Sequence, residues 1–379
     1  MPFLVQDIEQ ESFKDWESLN KYIKKEAKKY VLLPIEGFFK NNSKFIDDEY
    51  YGNQDYKIKF NEEGFGSFCK LLNIPLEFIN KLEEQNLVSN ILNDYIKKDY
   101  IKKKLNNYQF VLDEDQCTVS GLVSRSYVDY SNNSFINDIT QVFPELFLDF
   151  ELSESYISNT NLYLRLLSPK YKAGIITGRG GNGEDISRIG IQLSNGMTGN
   201  KSISASFFIY RLVCSNGLIV KSMDSSGLVM HSGKRETLQE RLGKNIMPVI
   251  EKIKNVPNQI KTLGNIQFDV EKFVLAGGAK LVYDIIPIEY YEQLKRGKLK
   301  GDKKIEFDIV KLHNYINSFA MGHSKTVFHS YYRDNQSMFD FVNIFTEYAH
   351  TQKPREKVYI EEKSGDLANW ILKNKKKFN

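Results

Sequence analysis

A short segment in the middle of the chain combines hydroxyl, aromatic and basic side chains on one face of a predicted strand. The segment SISASFFIYRLV covers residues 202–213, and its apolar residues alternate as a β-strand requires. The opposite face carries three hydroxyls and two aromatic rings: Ser202, Ser204, Ser206, Phe208 and Tyr210. Because Lys201 and Arg211 flank this face, it is suited to stacking unpaired bases and holding their phosphates. A second arrangement stays open, in which helices cover the face and both rings belong to the core.

An excess of basic residues surrounds this segment. Residues 155–250 hold 12 basic and 5 acidic side chains, a net of +7 in a chain whose net charge is only +4. Such a region is typical of a surface that binds a polyanion, although an ordinary charged surface gives the same count. We therefore predict further nucleic-acid contacts outside the strand: Arg179, Arg188, Lys234 and Arg235. The stretch GRGGNGED (178–185) could expose backbone amides that bind phosphates together with Arg179 and Arg188. Alternatively, it forms an ordinary hairpin loop.

The known catalytic motifs are absent from the sequence. No glycine-rich stretch is followed by the Lys-Ser/Thr of a phosphate loop, and no HExxH or nucleophile elbow occurs. The sequence therefore predicts no catalytic residue, no metal and no cofactor. An enzyme with a dispersed site is retained as a third hypothesis. It would be a metal-dependent, nuclease-like enzyme that uses Glu184, Asp185, His323 and His329.

The bulk composition is that of a globular protein in a reducing compartment. Apolar residues make up 41% and charged residues 26% of 379 residues, which excludes wholesale disorder. Cys69, Cys117 and Cys214 lie far apart, so they are expected to be free thiols. Neither a signal-peptide pattern nor an apolar run of about 18 residues is found, so a cytoplasmic protein without a membrane partner is expected.

The hydrophobic period changes twice along the chain and predicts an α+β fold with a largely antiparallel core. Residues 1–105 are predicted to form a mainly helical region, with a helix at 12–30. Residues 106–225 show the strand period and short connections, which favour antiparallel pairing. Residues 226–379 return to the helical period, ending in a basic tail that is expected to fray.

Three groups of residues resemble an uncharacterised family of phage/plasmid-like proteins. The most specific group is the Arg-x-Val-Cys-x-Asn core at 211–216, which follows the turn Ser194-Asn195-Gly196 and precedes His231-Ser232 at a predicted helix start. Weaker similarity covers LLNIPLEFINKL (71–82), where Asn73 replaces the usual glycine, and VSRSYVDYSN (123–132). The resemblance spans about residues 65–245. It implies a mobile genetic element and a bacterial host cell, but no known activity.

Two functions are carried forward from the residues and this resemblance. The first is a nucleic-acid-binding protein of phage or plasmid DNA metabolism, which binds or anneals single-stranded DNA in recombination or replication. An annealing protein would also be expected to form a homo-oligomer along the strand. The alternative is a protein-interaction module, such as an inhibitor of a host defence system, whose acidic residues in the first third contact a host protein.

Overall fold

The chain forms an α+β fold with two sheets, as the change of hydrophobic period predicts. The computed structural model describes all residues except the following: 1–3, 6–10, 27–29, 36–43, 47–48, 52–56, 83–84, 158–160, 177–183, 213–215, 222–226, 286–304, 306–307, 313–336 and 379. Arg179, Cys214, His323 and His329 lie outside the described residues.

The larger sheet has eight described strands, and all their pairings are antiparallel, which confirms the predicted antiparallel core. Its strands are β2 (Glu11–Phe13), β9 (Glu151–Leu152), β10 (Ser155–Ile157), β11 (Asn161–Ile176), β12 (Glu184–Gly196), β13 (Ile203–Arg211), β14 (Asn216–Val220) and β15 (Leu228–Val229). The spatial order is β14-β13-β12-β11-β10-β2, with β15 beside β13 and β9 beside β11.

Helices contribute to the main hydrophobic core on one face of this sheet, and the last of them also reaches the second face. They are α1 (Trp16–Glu26), α6 (Asn132–Val142), α7 (Pro144–Asp149), α8 (Leu238–Lys252), α9 (Val256–Asn265), α10 (Val270–Leu275), α11 (Ala279–Tyr283), α12 (Met338–His350) and α13 (Pro354–Lys373). Ile203, Ala205, Phe207 and Ile209 of β13 all lie in this core, so the predicted alternation is confirmed. The apolar stripe of α8 is buried there as well, which is why the helical period at 236–255 is so regular.

The smaller sheet has seven described strands and carries its own core. Its strands are β1 (Leu4–Val5), β3 (Tyr30–Pro34), β4 (Lys44–Ile46), β5 (Glu49–Tyr51), β6 (Lys57–Asn61), β7 (Tyr108–Asp113) and β8 (Thr118–Ser124). The helices beside it are α2 (Glu62–Leu72), α3 (Leu76–Asn80), α4 (Gln85–Ile96) and α5 (Asp99–Leu105). The region boundary predicted near residue 105 does not separate the sheets, because β7 and β8 complete the sheet that β3 and β6 begin.

The turn between β12 and β13 joins the two sheets. Thr198 in this turn lies so close to Gly121 of β8 that a Cβ on the glycine would be 2.8 Å from the Thr198 Cβ. Asn200 then donates from Nδ2 to Glu63 Oε2 at 2.8 Å, which ties the turn to α2. The β12–β13 hairpin therefore fixes one sheet against the other.

The C-terminal tail does not fray. Residues Lys375–Lys377 form a 3-10 turn, and Phe378 folds back so that its ring lies 6.0 Å from that of Trp370. The lysines are exposed while Phe378 is buried. The basic composition predicted a frayed tail because it did not show that the Phe378 ring would anchor it. Among the described residues, no helix has the length and apolar character needed to cross a membrane.

Candidate nucleic-acid interface

The predicted stacking face of β13 is covered. Phe208 is 1% exposed and packs with Tyr156, Leu167, Ile219 and Val358 in a small cluster on the second face of the larger sheet. Val358 belongs to α13, so the C-terminal helix supplies the cover. The prediction that Phe208 stacks on an unpaired base is therefore wrong for this structure, and the alternative that the ring belongs to the core is correct.

Arg211 is buried rather than presented to a phosphate. Its side chain is 2% exposed, and Nη1 lies 2.9 Å from Glu347 Oε1 on α12. A guanidinium that is paired inside the protein is not accessible to a polyanion, because extracting one partner leaves a buried unpaired charge. Its predicted role in phosphate binding is therefore corrected to a buried ion pair.

Two further predicted residues are engaged with acidic side chains at partly exposed positions. Lys201 lies 2.9 Å from Glu362 on α13 and 4.3 Å from the centre of the Tyr163 ring. Arg188 on β12 donates to Glu151 at 2.7 Å. Tyr210 is half-buried, with its ring centre 6.2 Å from that of Phe208. Arg188 and Tyr210 lie directly opposite each other on β12 and β13, whereas Lys201 precedes the other end of β13.

A buried ion pair that the sequence did not reveal lies beneath this cover. Arg165 of β11 pairs with Glu361 of α13, and both side chains are almost completely buried at 2% and 0% exposed. Arg165 Nε also donates to Gln192 at 2.9 Å, and its guanidinium lies 4.6 Å from the centre of the Phe208 ring. Burial raises the pKa of Glu361, while the charge of Arg165 opposes that shift. The only sequence signal was a charged residue among the apolar residues of NLYLRLLS, because its partner is 196 positions away.

Lys234 and Arg235 are the predicted residues that the structure leaves exposed. They begin the helical segment that leads into α8, directly after Gly233, whose φ is +93°. Arg235 Nη2 donates to Ser134 Oγ on α6 at 2.9 Å, which fixes the direction of its guanidinium. Its charge also acts on the nearby Asp129 carboxylate, whose pKa it lowers against the larger effect of burial. Their position at a helix start agrees with the sequence expectation.

These two residues continue into a line of exposed basic side chains that crosses from one sheet to the other. We call it the basic strip: Lys102, Lys103, Arg125, Lys234 and Arg235. Hydrogen bonds connect the segments that carry these residues. Asn107 Nδ2 donates to the Lys103 carbonyl at 3.4 Å, and the Arg125 N–H donates to the Asn107 carbonyl at 3.0 Å. The Gly233 N–H donates to the Ser126 carbonyl at 3.3 Å, which brings Lys234 beside Arg125. No sequence window shows this strip, because its parts lie more than 20 positions apart.

Some of the residues that carry the family resemblance meet beside the strip. Tyr127 donates its hydroxyl to the carbonyls of Gly196 and Met197, at 3.2 and 3.0 Å. Asn195 Nδ2 donates to Asn132 Oδ1 at 2.9 Å. The ring of His231 stacks on Tyr127 with 5.2 Å between centres and 13° between planes. The segment 123–132, the turn at 194–196 and His231 thus form one packed junction before α8, whereas residues 71–82 and Arg211 pack elsewhere.

His231 lies inside this junction and is neutral at physiological pH. It is 5% exposed, and neither ring nitrogen has a hydrogen-bond partner in the described structure. Burial, with a smaller contribution from the charge of Arg241, lowers the pKa of His231 from 6.5 to about 4. Sequence reasoning placed His231 at a helix start but did not identify it as a buried polar group.

Among the described residues, no group of three or more His, Cys, Asp or Glu side chains is arranged to hold a metal ion. Cys69 is buried in the core of the smaller sheet, and Cys117 is exposed. Burial raises the pKa of the Cys69 thiol to about 12, so it is a small apolar side chain rather than a nucleophile.

Comparisons with protein-family models, with curated proteins and with solved structures find no match to this chain. The resemblance to phage/plasmid-like proteins therefore stays a prediction from the sequence. Any functional proposal must be supported by the geometry of the chain itself.

Proposed function

We propose that the protein binds nucleic acid through the basic strip, chiefly by contacts to phosphates. The observation that carries this proposal is the continuity of the strip: the segments that bear its exposed cations, which are α5, the turn after β8 and the residues before α8, are joined by successive hydrogen bonds. Exposed Lys and Arg side chains on adjoining segments are suited to contact successive phosphates of one strand. The predicted function is retained, but the residues that perform it are largely different.

A single strand of DNA is the proposed ligand, in the setting of phage or plasmid DNA metabolism. Tyr100 is 61% exposed and precedes Lys103 by three residues on α5, so the ring and the ammonium share one side of the helix. An exposed ring next to a cation supports stacking of an unpaired base, which a duplex does not offer. This contact replaces the one predicted at Phe208.

The test is a fluorescence-anisotropy titration of labelled single-stranded and duplex DNA over a range of salt concentrations. Five phosphate contacts predict that log K falls with log salt with a slope of about −3.5 for a single strand. Lys102→Gln with Lys103→Gln removes two of these cations and should reduce the slope to about −2. Lys375→Gln with Lys376→Gln is the matched control, because it removes two exposed lysines from the C-terminal turn.

The proposal fails if the strip variant and the control variant bind DNA equally well, or if wild-type affinity does not depend on salt. Absence of DNA binding at low salt would instead favour the alternative of a protein-interaction module with a host partner. Replacing Tyr100 with Ala should weaken single-strand binding by about 1–3 kcal/mol and leave duplex binding unchanged.

A further inference from the structure

The start of α8 has an open position beside Gly233 that borders an arginine. A Cβ placed on Gly233 would meet only Arg241 Nη2 within 4 Å, at 4.0 Å. Gly233 itself is exposed, and its φ of +93° is one that L side chains rarely adopt. The backbone here is therefore shaped to let another group approach closely, next to a guanidinium.

Two side chains near this position have buried polar atoms without partners. His231, which is 95% buried by its exposure of 5%, leaves both ring nitrogens unpaired. Arg241 donates from Nη1 to the Met230 carbonyl at 3.1 Å and from Nε to Thr237 at 3.4 Å, but its buried Nη2 has no partner. An unpaired buried donor costs about 1–3 kcal/mol, so a ligand that accepts from these donors would offset that cost.

The backbone adds donors of its own. The helical segment starts with the turn Arg235–Thr237 and continues through α8 to Lys252. The first N–H groups of a helix have no partner within the helix, and the peptide dipoles make this end positive. An anion is the group that such an end stabilises.

We propose that the loop at residues 231–235 is a phosphate-binding site, in which Arg241 Nη2, a His231 N–H and the first N–H groups of the Arg235 turn hold one phosphate. This inference rests on the proposed function and deepens it, because the bound group is a phosphate of the nucleic-acid strand that follows the basic strip. Lys234 and Arg235 then neutralise the neighbouring phosphates from the exposed side. Since Nη2 is covered by the loop, binding requires a small shift of the Gly233 backbone, which a glycine permits.

A neutral imidazole suits this role. His231 contributes one N–H donor without adding a second positive charge against Arg241, and the stacked Tyr127 ring fixes its plane. A bound phosphate dianion would place negative charge beside the ring and raise the pKa of His231. This response distinguishes a binding site from a junction that is only structural.

Inorganic phosphate is the first probe, added to the full chain at constant ionic strength with chloride as the reference. We expect saturable binding, with the C2 proton resonance of His231 shifting in step with broadening of the phosphate ³¹P signal. Arg241→Lys retains the charge but removes Nη2, and should weaken phosphate binding about ten-fold. Lys244→Gln, which removes an exposed charge from the same helix, should leave phosphate binding unchanged.

The outcomes separate this inference from the proposed function. If single-stranded DNA binds through Lys102 and Lys103 but phosphate neither saturates nor shifts His231, the phosphate site is refuted and the basic strip stands. If phosphate binding depends on Arg241 but DNA binding does not, the site binds a free phosphate. The proposal that it binds a phosphate of the nucleic-acid strand is then refuted. The shift of the His231 resonance in the wild-type protein tests the phosphate site even if Arg241→Lys does not fold.

Discussion

Acidification should destabilise the protein through His231 by an amount that follows from its burial. The pKa of His231 is lowered from 6.5 to about 4 in the folded state, because burial and the charge of Arg241 disfavour the imidazolium. The folded state therefore binds fewer protons than the unfolded state between these two values. The free energy of unfolding therefore carries no penalty from His231 above pH 6.5, and it decreases as the pH falls from 6.5 toward 4.

The loss in the free energy of unfolding is set by the difference between the folded and unfolded pKa of His231. A difference of about 2.5 pKa units corresponds to about 3 kcal/mol by pH 4, and about 2 kcal/mol of this is already lost at pH 5. The groups that face the ring are Tyr127 and Tyr130 from the segment before α6 and Arg241 from α8. Neither tyrosine titrates in this range, because burial raises the pKa of both hydroxyls.

Urea unfolding of wild type and His231→Phe at pH 7.5 and pH 5 measures this contribution. Phe retains an aromatic ring against Tyr127 and cannot be protonated, so the difference between the two proteins cancels the titration of carboxylates elsewhere. Wild type should lose about 2 kcal/mol more than the variant over this pH range. Parallel losses in the two proteins, or an imidazole resonance that titrates near pH 6.5, would refute the reasoning.

Two further predictions concern the cover that α13 places on the larger sheet. Arg165→Met should destabilise the protein by about 3–5 kcal/mol because it leaves the buried carboxylate of Glu361 unpaired, and adding Glu361→Leu should recover much of that loss in urea unfolding. Gly365→Ala should lower the thermal midpoint and disturb α13, because the new Cβ would collide with the Ile219 carbonyl of β14. Gly66→Ala on α2 is the matched helix control, since its Cβ would lie 3.7 Å from the nearest atom; an equal loss in both alanine variants would contradict this explanation.

The sequence was informative wherever a signal is local. Alternation along β13 identified its core face correctly, and the 3.6-residue period of α8 identified the best-defined helix. The start of α8 at Lys234 and Arg235 was also predicted as a basic surface, and both side chains are exposed. Each of these features depends on residues within about 15 positions of one another.

The features that the sequence did not predict depend on contacts between distant segments. The role of Phe208 was undecided from sequence, because the residue that covers it, Val358, lies 150 positions later on a separate helix. Hydrophobic alternation reports which residues share a strand face but not whether a helix covers that face. The same limit applies to Arg165 with Glu361. It also applies to the basic strip, whose segments adjoin because the turn after β8 is hydrogen-bonded to the loop before α8.

The role of the basic strip is tested by the salt dependence of single-stranded DNA binding, measured for wild type and for Lys102→Gln/Lys103→Gln. If the strip binds the phosphates, the steep wild-type slope becomes shallower by about 1.4 in the variant, because each lost phosphate contact contributes about 0.7. The Lys375→Gln/Lys376→Gln control should retain the wild-type slope. An unchanged slope in the strip variant would show that the basic strip does not contact the phosphates, and the central claim would be wrong.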